Sequence, residues 1–119
     1  MKYSILRTKS KAFAIRIIRM YQWLSKEKIE YTLSKQCLRS GTSIGANIVE
    51  GLNGQSTNDF IAKLYISLKE ANETNYWLEL LYETDYIDEK TFNSISKDCL
   101  ELIKLLTTII KSTKKNNNM

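Results

Sequence analysis

The stretch Gln36–Phe60, QCLRSGTSIGANIVEGLNGQSTNDF, decides the fold. From Leu33, the residues Cys37, Ser40, Ile44 and Asn47 follow at spacings of 4, 3, 4 and 3, with Ile48 alongside. That rhythm is one apolar face of a helix, close to a heptad. Ser40, Gly41, Ser43, Gly45 and Ala46 are all small, so a neighbouring backbone can come close. Each glycine costs about 1 kcal/mol of helix propensity against alanine, so two of them predict tight packing or a local bend. Gly51 or Gly54 then suits a C-terminal cap, Asn53-Gly54 a turn, and Ser56-Thr57-Asn58-Asp59 a capping box with Asp in place of Glu. The stretch predicts two helices joined as a hairpin.

A polar stripe runs along the same helix. Arg39, Ser43, Asn47 and Glu50 are spaced 4, 4 and 3 residues apart and share a face. Past the turn, Lys63, Ser67, Glu70 and Thr74 form a second stripe. In an antiparallel hairpin centred on residues 53–56, Arg39 faces Glu70 and Glu50 faces Lys63, with Asn47 near Lys63. Charges at a seam must be paired or they cost free energy. The six residues Arg39, Ser43, Asn47, Glu50, Lys63 and Glu70 therefore read as a network that fixes register, with a binding role for some of them as the alternative. Glu50 and Glu70 fall too far apart along the hairpin for paired acid–base work.

Working outward, Phe13, Ile17, Met20 and Leu24 mark a first helix over about residues 8–25. The second helix covers about 30–52. Ile61, Leu64, Leu68, Ala71, Asn75, Leu78 and Tyr82 mark a third over 57–84. Asp88 is the N-cap of a fourth over 89–113, whose stripe is Phe92, Ile95, Cys99, Leu102, Leu106 and Ile109. Residues 114–119 are expected to fray. Short connections between four such helices predict an all-α fold, an antiparallel up-down-up-down left-handed four-helix bundle, in one domain of 119 residues.

Composition narrows the chemistry. There is no proline and there are four glycines, which suits long helices. Histidine is absent, which removes the usual general base and the commonest metal ligand. Cys37 and Cys99 match no zinc or redox spacing and read as small buried hydrophobes. Gly51 and Gly54 lack the Gly-Lys-Ser/Thr of a phosphate loop, and no nucleophile elbow is present. No catalytic residue, metal site or cofactor is expected. No apolar run approaches the ~20 residues of a membrane span, so the chain reads as soluble, reduced and cytoplasmic, with no membrane partner.

The net charge of +5 is unevenly spread. Residues 1–55 carry +7, residues 56–113 carry −4, and Lys114 and Lys115 complete the total. Arg7, Lys9, Arg16, Arg19, Trp23 and Lys26 on helix one are the candidates for contact with nucleic acid: bases neutralise phosphate and an interleaved Trp stacks on an unpaired base. Alternatively, the basic face meets an acidic face of a neighbouring subunit or another protein, with Glu79, Glu83, Asp85, Asp98 and Glu101 as partners and Tyr21, Tyr76 and Trp77 as anchors.

Leu38-Arg39-Ser40, Thr42-Ser43-Ile44, Ala46-Asn47-Ile48, Glu50-Gly51, Ser56 and Asp59-Phe60 together resemble the signature of the four helix bundle protein family, which includes the proteins encoded in intervening sequences of bacterial 23S ribosomal RNA genes. Lys69-Glu70-Ala71, Glu73 and Tyr76-Trp77-Leu78 fit one branch of it. The sequence is similar also to the accessory variability proteins of diversity-generating retroelements. The resemblance covers nearly the whole chain. It implies a homopentamer shaped as a barrel, basic and bound to RNA or DNA in the retroelement relatives. The acidic second half of this chain departs from a uniformly basic barrel.

Overall fold

The structure, a computed structural model, describes residues 2–119, with side chains from Tyr3 onward. Four helices follow in order: α1 (Lys2–Glu27), α2 (Thr32–Leu52), α3 (Thr57–Glu83) and α4 (Glu89–Asn116). No strand occurs among the described residues. The molecule is an all-α bundle measuring 49 × 22 × 20 Å. Each helix packs on its neighbours in sequence and α1 closes on α4, so α1 and α3 lie on one diagonal, α2 and α4 on the other.

Cross-helix pairs give the directions. Gly41 and Gly45 of α2 approach Ile17 and Ser10 of α1. Arg39 meets Glu70 and Lys63 meets Glu50 across α2 and α3. Ser96 meets Asn75, and Cys99 meets Ala71, across α3 and α4. Lys9 meets Glu101 and Arg16 meets Asp98 across α1 and α4. In every case rising numbers on one helix meet falling numbers on the other, so all four neighbours are antiparallel. A consequence is that α1 and α3 run in the same direction.

Most of the stripe residues read from the sequence form the core, Leu33, Leu68, Tyr82 and Phe92 pack half-buried against it, and Leu6, Leu81 and Ile87 join it. Phe13, Ile17, Met20, Leu24, Cys37, Ile44, Ile48, Leu64, Ala71, Leu78, Ile95, Cys99, Leu102, Leu106 and Ile109 are all buried. α1 ends at Glu27 rather than 25 and α3 at Glu83 rather than 84, and three further boundaries differ from the sequence expectation. α1 starts near residue 2 rather than 8, because Leu6 and Ser10 are buried and carry the stripe one further heptad back. α4 runs to Asn116 rather than 113, because Thr113 is buried and Lys114 reaches the Tyr65 hydroxyl at 3.2 Å and sits over its ring. Beyond it the amide of Met119 donates to the Lys114 carbonyl at 2.8 Å. α2 starts at Thr32 rather than 30, since Glu30 serves as its cap.

The turns also differ. No glycine has a positive φ. Gly51 is a buried member of α2, where an added Cβ would meet Lys63 Cβ at 3.1 Å and Phe60 Cδ1 at 3.4 Å, and the C-cap is Asn53. Its role is close approach between α2 and α3, not a left-handed cap. The left-handed positions fall instead on Ile29 (φ 53°), Asp85 (φ 67°) and Asn118 (φ 54°), just past the ends of α1, α3 and α4. Ser56 and Asp88 cap α3 and α4 as expected, accepting from the amides of Asp59 (3.1 Å) and Thr91 (2.8 Å).

The two interior glycines of α2 are not equivalent. Gly41 is pressed against Ile17, but a Cβ on Gly45 would lie 3.4 Å from Ser10 Oγ, an ordinary contact. Gly45→Ala is therefore expected to raise the unfolding free energy by about 0.5–1 kcal/mol through helix propensity alone. A urea titration reads this directly; a loss of stability would mean that α1 cannot tolerate the methyl.

Candidate functional site

The polar network between α2 and α3 has two layers. In the buried layer, Ser67 donates to the Ile44 carbonyl at 2.9 Å, and the Thr74 and Ser40 hydroxyls lie 2.8 Å apart. These contacts need the helices to approach closely, which the small residues at 40–45 allow. In the exposed layer, Arg39 donates to Glu70 at 3.0 Å and also to Glu73, and Lys63 donates to Glu50 at 3.1 Å. Both pairs expected from the register are present. Ser43 and Asn47 do not join them across the hairpin. The Ser43 hydroxyl donates to the Arg39 carbonyl (2.7 Å) and the Asn47 amide to the Ser43 carbonyl (2.8 Å), both within α2. Glu73 was not among the expected members. It accepts from the Trp77 indole at 3.0 Å as well as from Arg39, and the Glu70/Glu73/Trp77 spacing of 3 and 4 carried that signal in the sequence.

The six candidate contacts on α1 are engaged to different degrees. Lys9 is paired with Glu101, and Arg16 with Asp98 at 2.7 Å and with the Ser94 hydroxyl at 3.1 Å. Asp98 and Glu101, expected to face a neighbouring subunit, are instead engaged by α1 of the same chain. Glu101 pushes the Lys9 ammonium pKa upward, chiefly through their hydrogen bond. All four side chains are substantially exposed, so each pair contributes little to stability and is screened by salt.

Arg7, Arg19 and Lys26 remain on exposed positions. Arg19 makes a long contact to Gln22 at 3.4 Å. Trp23 is 44 % exposed, and Lys28 sits 5.4 Å above its ring. Beside it, Ile15, Met20, Ile87 and Ile95 line a cleft of about 380 Å³ rimmed by Arg16 and Arg19. The strained turn residue Ile29 and the exposed Tyr31 stand at the same end of the bundle. Lys28 and Tyr31 were not among the sequence candidates. Their signal was only the basic, aromatic character of residues 26–31.

Cys37 and Cys99 are buried free thiols whose pKa burial pushes up to about 12. Cys99 donates to the Ala71 carbonyl at 3.2 Å. Thiols held so far from the thiolate are poor nucleophiles. No group of three metal-ligating side chains occurs among the described residues, and no described helix is long and apolar enough to cross a membrane.

Residues 3–108 match the family model of the 23S rRNA-intervening sequence protein. Among solved structures, the chain is similar to a protein of unknown function from the S23 ribosomal protein family of Bacteroides thetaiotaomicron VPI-5482. The two are 55 % identical with a TM-score of 0.92, covering 93 % of this chain and 99 % of that one. No curated protein matches the sequence.

Proposed function

The chain belongs to the 23S rRNA-intervening sequence protein family, and on that premise we propose that it is a non-enzymatic bundle that works in the cytoplasm as a subunit of a homo-oligomer. One observation carries this reading. Within the helices, every exposed large apolar side chain except Leu100 lies on α1 (Tyr3, Ile5, Ile15, Ile18, Trp23) or on α3 (Tyr65, Ile66, Tyr76). Scattered exposed apolar residues are ordinary, but confinement to two helices is a pattern. Isoleucines on a helix that is basic until Glu27 suit a protein neighbour better than a phosphate backbone. Lys9 and Arg16 are paired within the chain, so they are less free than Arg7, Arg19 and Lys26 to meet phosphate.

Association with RNA is a second reading, favoured by Trp23, Lys28 and Tyr31 at the α1–α2 corner. An exposed ring with an ammonium above it stacks on an unpaired base while the cations meet phosphate. Binding of this kind is sequence-tolerant and falls steeply with salt.

Light scattering after size-exclusion chromatography, with and without a structured RNA at about 50 and 200 mM salt, tests both. The expected result is a multi-subunit mass at both salts, five being the number implied by the family resemblance. A mass of 13.8 kDa, one subunit, would overturn the first reading. If RNA adds mass at the lower salt, Lys28→Glu with Tyr31→Ala should weaken that binding about 10-fold and leave the protein's own mass unchanged. An unchanged affinity removes the corner from the RNA reading.

A further inference from the structure

The end of the bundle opposite the Trp23–Tyr31 corner holds a cavity of about 380 Å³. Neither function proposed above draws on it. It lies where the α2–α3 turn meets the start of α1 and the last turns of α4. Tyr3, Phe60, Thr113 and Asn117 stand on its walls with the turn residues Gly54 to Thr57. None of the residues that line it is charged.

Two independent observations point to a ligand. The first is Thr113. It is only 7 % exposed, and its hydroxyl is the one buried side-chain polar atom without a hydrogen-bond partner among the described residues. Buried polar groups of this kind are rare, and each calls for an explanation. A helix normally offers a remedy. Thr42, Thr74, Thr84 and Thr107 each donate to the carbonyl four residues earlier, at 2.6–2.8 Å. Thr113 does not, and the Ile109 carbonyl accepts from the Ser112 hydroxyl instead, at 3.2 Å.

The second observation is a run of backbone donors. Ser56 caps α3 by accepting from the Asp59 amide, and the Phe60 amide donates to the Ser56 carbonyl at 3.0 Å. Asp59 does not return the bond that would close a capping box. The amides of Gln55, Ser56 and Thr57 meet no acceptor among the described residues, and all three residues line the cavity. They stand at the N-terminus of a helix of 27 residues, where the dipole favours negative charge. The run GLNGQST lacks the lysine of a phosphate loop but keeps its physical core: glycines, then free amides, at the start of a helix.

We propose that this cavity binds a phosphate monoester. Its anionic oxygens accept from the amides of Gln55, Ser56 and Thr57 and from the Thr113 hydroxyl. That hydroxyl turns to the ligand between the two χ1 wells open to threonine in a helix. With no cation in the wall, the charge is met by the backbone dipoles alone. The organic part lies against Tyr3 and Phe60, whose rings meet edge to face with centroids 5.2 Å apart. An aromatic wall and a cavity of this volume suit a nucleotide-sized group better than phosphate by itself. The site is remote from the α1–α2 corner and rests on neither the oligomeric nor the RNA reading.

Isothermal titration calorimetry on the full chain at fixed ionic strength tests it, with AMP, inorganic phosphate and adenosine as probes. The expected result is one AMP per chain, weaker binding of phosphate in competition with it, and no measurable binding of adenosine. Thr57→Pro deletes one amide and leaves α3 intact, because proline suits the first position of a helix and Ser56 before it is already extended (φ −152°, ψ 166°). Thr113→Val deletes the hydroxyl at nearly constant shape. Each should weaken AMP binding about 10-fold or more. Melting temperatures by circular dichroism should not fall, and Thr113→Val should melt slightly higher because an unpaired buried group is gone. If Thr57→Pro disturbs the fold, Thr113→Val decides alone. Failure of both AMP and phosphate to bind at millimolar concentration overturns the proposal. Adenosine binding as well as AMP, or an affinity untouched by Thr113→Val, does the same. Phosphate binding as tightly as AMP makes the free anion the ligand and overturns the role of the rings.

Discussion

Gly41→Leu is expected to destabilise the bundle by at least about 3 kcal/mol, and even Gly41→Ala should cost about 1–2 kcal/mol net. The second figure is the more telling, because alanine is the better helix former by about 1 kcal/mol. The obstacle is Ile17. A Cβ on Gly41 would lie 2.9 Å from its Cγ1, 3.0 Å from its Cγ2 and 3.3 Å from its Cβ. Ile17 is fully buried and β-branched, so it has no free rotamer into which to retreat. The clash must be relieved by separating α1 from α2, and the Phe13–Ile17–Met20 layer separates with them. A double-mutant cycle isolates the contact. Ile17→Ala alone should cost about 2–5 kcal/mol, but in that background Gly41→Ala should become favourable by up to about 1 kcal/mol. Urea unfolding of the four proteins reads the change of sign. If Gly41→Ala costs the same in both backgrounds, Ile17 is not what requires the glycine.

The parts of the fold that were legible in the sequence are those that depend on one helix or one hairpin. The apolar stripes place the four helices, and the hairpin register places Arg39 opposite Glu70 and Lys63 opposite Glu50. What was not legible depends on partners far away in the chain. Lys9 and Glu101 are separated by 92 positions and Arg16 and Asp98 by 82, and no local pattern distinguishes them from solvated charges. The start of α1 was hidden because Ser10 interrupts its apolar stripe. Ser10 is buried all the same, its hydroxyl donating to the Arg7 carbonyl at 3.0 Å. The glycines at 51 and 54 misled in the opposite direction. They look like cap and turn signals, but the left-handed conformations belong to Ile29, Asp85 and Asn118. Close helix contact, not backbone freedom, is what Gly41 and Gly51 provide.

The start of α2 carries the other large expected effect, and it rests on a residue outside the usual capping set. Glu30 is only 8 % exposed. Its carboxylate accepts from the amides of Thr32 (3.0 Å), Leu33 (3.0 Å) and Ser34 (2.8 Å), and the Ser34 hydroxyl donates to its carbonyl at 2.8 Å. Three of the four amides that a helix leaves without internal partners are thus satisfied by one side chain, whose charge also favours the N-terminal end of the helix dipole. Burial by itself would raise the carboxyl pKa, but the backbone donors outweigh it and hold the group below its ordinary value of 4.5. Glu30→Ala should therefore cost about 2–3 kcal/mol, a fall in Tm of roughly 8–12 °C for a domain of this size. Glu30→Gln, which keeps an acceptor oxygen but not the charge, should cost about half as much. The pH dependence has a definite sign. A carboxyl whose folded-state pKa lies below its unfolded value contributes its full stabilisation above the unfolded value and loses it as pH falls through the folded one. The stability gap between the wild type and Glu30→Gln should accordingly be constant from neutral pH down to about 5, then close as the pH falls through the depressed value. Thermal melts at a series of pH values measure that gap, and a gap that does not narrow in acid would show that the amides are held by shape rather than by charge.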